Sequence, residues 1–190
     1  MINVVSLIQL RAFARQDGAL LSVLWIMGFA SMMFTPVPFI NDLAILATPF
    51  FVGWRLSKFR NYALNDVISY RRAFVYCLYT FFYGSLLFAV AQGLYFQFLD
   101  HGRFIELIEQ AASLNSALYQ SMGMDVNELK EAINLLKVSN GIEKAFSFMM
   151  VDIAIGILLS LFIAVFGAKK VPTMKLPEHD NGQSVDKENR

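Results

Sequence analysis

Cysteine is almost missing from this chain: Cys77 is the single one among 190 residues, and it lies inside an apolar run. One thiol excludes an intrachain disulfide and leaves no cluster for zinc or iron–sulfur binding, so a buried, inert thiol is expected. Histidine is nearly as scarce. His101 and His179 are far apart and fall on opposite predicted sides of a membrane, which argues against a shared metal site. Charge is thin as well, 16% Asp, Glu, Lys and Arg with a net of +1, so no global bias points to nucleic acid or to an acidic partner. A Walker loop, a Rossmann glycine pattern, HExxH and GxSxG are all missing. These absences lead to the expectation of a non-enzymatic protein without cofactors.

What the chain has instead is apolar mass, 56% hydrophobic residues, gathered into long runs and not spread with the periodicity of a soluble core. That favours lipid as the solvent. The expected fold is all-α and integral to the membrane, one domain over residues 1–170 with four transmembrane helices at about 18–34, 41–57, 73–99 and 143–168. An extracytoplasmic amphipathic helical pair, residues 103–139, is expected between the third and fourth.

Residues 2–16 mix apolar residues with Ser6, Gln9, Arg11 and Arg15, which suits either a helix lying in the interface or an inward extension of the first span. The stretch after them is no secretory signal: it is long, holds Trp25, Met32, Met33 and Phe34, and ends at Pro36 and Pro38 without a small-x-small cleavage site. Asn41 and Asp42 read as cap and first turn of the second span, the shortest in apolar content. Pro49 inside it predicts a kink near residues 44–48, the freed carbonyl being satisfied by Thr48 or a neighbouring helix. Residues 57–72 form the polar connection, with Asn65-Asp66 as a turn signal whose flanks 62–64 and 67–70 pair as a small hairpin or form an irregular interfacial loop. The third span carries no formal charge over about 27 residues. In the insert, Phe104, Leu107, Ile108, Ala111, Leu114, Leu118 and Met122 recur at helical spacing, so one helix is expected over 104–122. Asp125 with Glu128 predicts a capping box for a second helix, 126–138, with Leu129, Ile133 and Leu136 on its apolar side. Asn140 with Glu143 predicts the same device at the start of the fourth span, which Lys169-Lys170 stops. Residues 171–190 read as a disordered cytoplasmic tail.

Orientation follows from the cations. Arg11, Arg15, Arg55, Lys58, Arg60, Arg71, Arg72, Lys169, Lys170, Lys175, Lys187 and Arg190 fall on one side of a four-span chain, and the positive-inside rule puts that side, with both termini, in the cytoplasm. The expected location is a bacterial inner membrane.

We read Asp152 as the one formal charge inside an apolar span, at a depth matching Gln92 across an antiparallel third and fourth helix. A hydrogen bond between Asp152 and Gln92, with Tyr95 or Ser147 as further partners, would act either as interhelical glue or as a proton- or solute-handling site. The basic segment, Arg55, Lys58, Arg60, Arg71 and Arg72 among Phe59, Tyr62 and Tyr70, either sets topology or also binds anionic lipid headgroups, at about 1 kcal/mol per exposed cation. The outer pair, residues 104–138, packs on the protein's own spans, lies on the membrane, or docks a partner or a second copy. Gly84, Gly93 and Gly156 read as close-packing points, not as a GxxxG motif.

The first hairpin, the run GWRLSKFRNYALNDVISYRRAF with its Arg72-Ala73-Phe74 helix start, the aromatic third span, the helical insert and the Lys-Lys stop together resemble the bacterial four-helix membrane proteins grouped as domain-of-unknown-function family 4199. The likeness covers about residues 10–170 and implies an all-helical inner-membrane protein of unknown role with no catalytic residue to transfer. Asn65-Asp66 stands where the family's turn is expected to hold a glycine. The function expected is that of an interaction or envelope-associated component, the alternative a small-solute or proton carrier using Asp152.

Overall fold

The computed structural model describes residues 4–35, 39–123 and 125–169. The tail 171–190, the prolines Pro36 and Pro38, and His179 lie outside the described residues. Among the described residues seven helices follow in order: α1 Val4–Phe34, α2 Phe39–Ala63, α3 Tyr70–Phe98, α4 Arg103–Leu114, α5 Ser116–Ser121, α6 Val126–Val138 and α7 Gly141–Gly167. Three of them are long and apolar enough to cross a membrane, α1 from Leu7, α3 and α7. Helix α2 is 25 residues long and runs through Pro49, and it is not among the three.

Residues 4–16 extend the first span and form no separate interfacial helix. The reason is a buried stripe: Leu10, Ala14, Asp17, Leu21 and Gly28 recur at three, four and seven residues, while Arg11 and Arg15 stay on the exposed side. Helix α2 answers with Ala44, Thr48, Val52, Leu56 and Phe59 at the same spacing. Thr48 donates to the Ala44 carbonyl (3.0 Å) and accepts from Trp25 Nε1 (2.8 Å), a polar tie between α1 and α2 beside the proline.

The four long helices alternate in direction. Trp25 meets Thr48 and Asp17 meets Arg55 in antiparallel α1 and α2; Arg11 meets Tyr79 and Phe29 meets Tyr95 in parallel α1 and α3. Small residues set the closest crossings. A Cβ on Gly18 would stand 2.8 Å from the Thr80 carbonyl oxygen and 2.7 Å from Tyr83 Cβ, and one on Gly156 would stand 2.7 Å from Phe81 Cβ. Gly84 and Gly156 are thus the packing points expected, whereas at Gly93 a Cβ would reach Ala145 Cβ at an ordinary 3.6 Å.

The connection between α2 and α3 is shorter than expected, because α2 runs to Ala63 and α3 starts at Tyr70. Flanks 62–64 and 67–70 do not pair with each other. Ile68 instead forms an isolated antiparallel bridge with Lys169, N–H to O at 3.0 Å in both directions. Asn65 and Asp66 both have positive φ (50° and 64°), the left-handed conformation that these two side chains tolerate best after glycine.

At the other end of the bundle Phe104, Ile105 and Ile133 pack against Met33, Tyr95, Phe96 and Ala145. This seats the insert where α1 and α3 end and α7 begins. The expected single helix over 104–122 is broken at Asn115, whose side-chain amide donates to the Ala111 carbonyl (2.8 Å), and beyond the break Leu118 and Met122 are exposed. Helix α6 has the predicted bounds, but Asp125 accepts from Asn127 N–H (2.8 Å), not from Glu128. The Asn140–Glu143 box forms as predicted, with both reciprocal bonds at 2.9 Å.

Gly18→Ala is expected to lower the melting temperature in detergent, because the new methyl meets backbone that cannot step aside, a strain of about 1–3 kcal/mol. Gly93→Ala serves as the matched control with no such loss; equal behaviour of the two would refute the close α1–α3 crossing.

Candidate functional site

Two polar sites interrupt the apolar interior. The first was not anticipated as a site. Asp17 is 1% exposed and sits among Leu10, Ala14, Leu21, Val52, Leu56, Phe59 and Tyr76. One carboxylate oxygen pairs with the Arg55 guanidinium, which donates through Nε at 2.6 Å and through Nη2; the other accepts the Tyr76 hydroxyl. Tyr76 in turn stacks on Phe59, with centroids 4.7 Å apart and planes 6° from parallel. Three helices therefore meet on one carboxylate. Asp152 is consequently not the sole charge within the bundle, as the sequence reading had it. Asp17 was passed over because the first span was begun one residue later, at Gly18; the signal available was its place three residues after Ala14 and four before Leu21.

The same observation corrects the basic segment. Arg55, Lys58 and Arg60 belong to α2, Arg71 and Arg72 to the first turn of α3. Arg55 and Arg60 each keep only 17% of their side chains exposed. Arg60 donates to Asp66 Oδ1 (3.0 Å) and to the Gly167 carbonyl (3.1 Å), so it caps α7 where the helix dipole is negative. Lys169 pairs with the other Asp66 oxygen. The Lys169 hydrogen bond, opposed by some desolvation, and the nearby charges of Lys169 and Arg60 hold the Asp66 carboxyl below its ordinary value. This tie is therefore complete above the usual carboxylate range and fades as pH falls through the lowered value. Lys58 lies over the Trp54 ring, Nζ 4.0 Å from its centroid, and Arg71 is exposed. Arg55 and Arg60 thus both donate to acceptors within the bundle.

The second site is the predicted pair. Gln92 on α3 and Asp152 on α7 line one cavity of about 360 Å³, but the expected common depth is not what the helices show: their register sets Gly93 against Ala145 and Gly156 against Phe81, which leaves Gln92 more than a helical turn from the level of Asp152. No hydrogen bond joins them. Gln92 Oε1 and Asp152 Oδ2 are buried without partners, and neither Tyr95 nor Ser147 supplies one among the described residues. Of the three orphaned buried polar atoms among those residues, Ser85 Oγ being the third, two thus face the same space. Trp25, Phe29, Phe81, Phe88, Phe104 and Phe148 make most of its wall, with Thr48 and Asn41 on the α2 side. Ile45 and Ile155, also lining it, are 61% and 50% exposed, so the cavity reaches the outside of the bundle between α2 and α7. A second cavity, about 500 Å³ and nearly all apolar, follows the same seam past Pro49 and Gly53 toward Gly167. No group of three His, Cys, Asp or Glu able to hold a metal occurs among the described residues.

The two sites differ in what they can do. Asp17 has every charge and lone-pair direction that matters already engaged, so it positions helices and offers a solute nothing. Asp152 and Gln92 have acceptors unspent.

A family model described as Protein of unknown function (DUF4199) matches residues 16–169, a stretch that includes both sites. No curated protein and no solved structure matches the chain.

Removing one partner of a buried ion pair leaves the other uncompensated, at about 3–5 kcal/mol, while replacing both with apolar residues is far milder. Asp17→Leu and Arg55→Met should each lower the detergent melting temperature strongly, and the double variant should recover most of the loss. Additive losses in this cycle would show that the pair does not couple α1 to α2.

Proposed function

The chain belongs to the DUF4199 family, a family of unknown function, and we propose from its geometry that it is a four-span membrane protein acting as a non-enzymatic interaction or envelope-associated component. Lipid is the partner of its long helices. Helix α2 joins the three apolar spans in this reading because it lies alongside α1 from Asn41 to Arg55 and turns Leu43, Leu46 and Phe50 outward at 58–73% exposure. Such a face is costly in water and natural in hydrocarbon. Arg11, Arg55, Lys58, Arg60, Arg71, Arg72 and Lys169 lie at one end of the bundle and the insert at the other. The positive-inside rule then supports cytoplasmic termini in a bacterial inner membrane, with the insert outside. Lys58 and Arg71 are the cations of that segment near the inner surface for anionic headgroups.

One observation carries the interaction reading. The insert docks on the bundle through Phe104, Ile105 and Ile133, with Leu107, Ile108, Leu129 and Leu136 half-buried around them, and leaves Leu114, Leu118, Met122, Leu135 and Val138 55–83% exposed. Its helix pair is held by little else at the surface, chiefly the exposed Glu109–Lys137 pair at 2.5 Å, which contributes at most about 1 kcal/mol. An apolar face kept outside the protein's own core is the surface that a partner protein, or a second copy, would cover.

A second reading, a small-solute or proton carrier, is favoured by the cavity at Asp152 and Gln92. A carboxylate with an unspent oxygen inside an apolar bundle is costly unless it is used.

A photo-crosslinking residue at Leu118 or Leu135, activated in native membranes, is expected to trap one reproducible protein partner, and the same residue at exposed Phe162 on α7 is not. Adducts to lipid alone at all three positions would overturn the interaction reading.

A further inference from the structure

The unspent groups in the Asp152 cavity are both acceptors, Gln92 Oε1 and Asp152 Oδ2. Gln92 is 6% exposed, so its carbonyl oxygen has no access to bulk solvent. The donors on the wall do not serve these oxygens: Trp25 Nε1 gives its hydrogen to Thr48, Thr48 gives its own to the Ala44 carbonyl, and the amides of Asn41 and Gln92 reach neither oxygen. No Lys, Arg or His lines the space. Whatever satisfies this site must therefore bring hydrogen-bond donors and positive charge with it. The walls state the rest of the requirement. Aromatic faces attract a cation through their quadrupoles, and the apolar remainder of the lining accepts a hydrocarbon body. The opening between α2 and α7, at Ile45 and Ile155, faces lipid in the membrane reading, so entry is lateral.

We propose that this cavity binds a lipophilic amine, taken from the bilayer, whose ammonium group donates to Asp152 Oδ2 and Gln92 Oε1 while its apolar body lies among Trp25, Phe29, Phe88 and Phe148. The proposal rests on the second reading above, that the cavity takes a solute, and adds the solute's class; it is independent of the interaction reading. A neutral alcohol could serve one acceptor but leaves the carboxylate unbalanced. A carboxylic acid brings a second negative charge to the first, which an uncompensated site repels.

Trp25 is the reporter, and Trp54→Phe makes it the sole tryptophan without touching the cavity. Purified full-length protein in detergent is titrated with para-bromobenzylamine, para-bromobenzyl alcohol and para-bromobenzoate, whose bromine quenches tryptophan on contact. The amine is expected to quench saturably, and the alcohol and the acid only in proportion to their partition into the micelle. Asp152→Asn should weaken the amine by about 10- to 100-fold, the range that loss of a charge-assisted hydrogen bond gives. Asp152→Glu should restore part of it, and Gln92→Leu should weaken it in the same direction, which keeps the test decisive if Asp152→Asn fails to fold. Saturable binding of the alcohol as tight as that of the amine, unchanged in Asp152→Asn, would overturn the amine and leave the solute-site reading standing. Saturation by none of the three would overturn both.

Discussion

An ionised carboxylate inside an apolar bundle is tolerable only where the chain surrounds it with charge and donors, and that condition governs how the long helices of this protein meet. Taking each ion of such a pair out of water costs several kcal/mol, which attraction repays only when the geometry is good and the remaining lone pairs are served. At Asp17 they are served: Arg55 of α2 on one oxygen and Tyr76 of α3 on the other. Slide α2 by one residue along α1 and the guanidinium leaves the carboxylate; rotate α3 and the phenol leaves it. The pair therefore contributes less to net stability than to register. Apolar packing alone would fix register loosely, because Leu and Val offer many near-equivalent neighbours.

The register so fixed leaves a seam. Helix α3 is packed tightly on both α1 and α7, through Gly18 on one side and through Gly156 and Gly141 on the other. Helices α2 and α7 have no equivalent run of small residues facing each other. They meet toward one end, where Gly53 faces Ile163, Leu56 meets Gly167 and Arg60 reaches the Gly167 carbonyl, and both cavities lie along the seam they share. Asp66 closes that end by holding Arg60 and Lys169 together. The seam is thus bounded where charges are clustered and open where Ile45 and Ile155 stand, which is why the unpartnered Asp152 lies beside a space and Asp17 does not.

Features encoded by neighbours in sequence were legible, and features encoded by distant pairs were not. The Asn140–Glu143 box and the bounds of α6 depend on residues within one helical turn, and both could be read directly. That Gln92 and Asp152 share a cavity follows from pairing the third and fourth spans, whereas their offset and their missing bond depend on the register of α3 against α7, which Gly156 at Phe81 and Gly141 at Phe96 set and span lengths do not. Asp17 was misjudged for a different reason. Counted with Arg11 and Arg15 it looks like the polar headpiece of a span, and only the stripe through Leu10, Ala14 and Leu21 marks it as inward-facing. For Ile68 the neighbouring residues suggest only a small hairpin or an irregular loop; its bridge to Lys169 joins residues that only the folded bundle brings together.

The contrast between the two carboxylates argues for where function resides. Both are aspartates on long helices, and both would be expensive alone. For Asp17 the chain supplies a full set of partners, so further chemistry there would have to break the contacts that hold α1, α2 and α3 in register. For Asp152 it supplies aromatic walls, an orphaned amide oxygen and a way out to the side, but no cation. A site needed only for stability would be cheaper as leucine, since nothing in the fold uses the charge. The unspent oxygen is therefore better explained by an occupant from outside the chain than by packing within it.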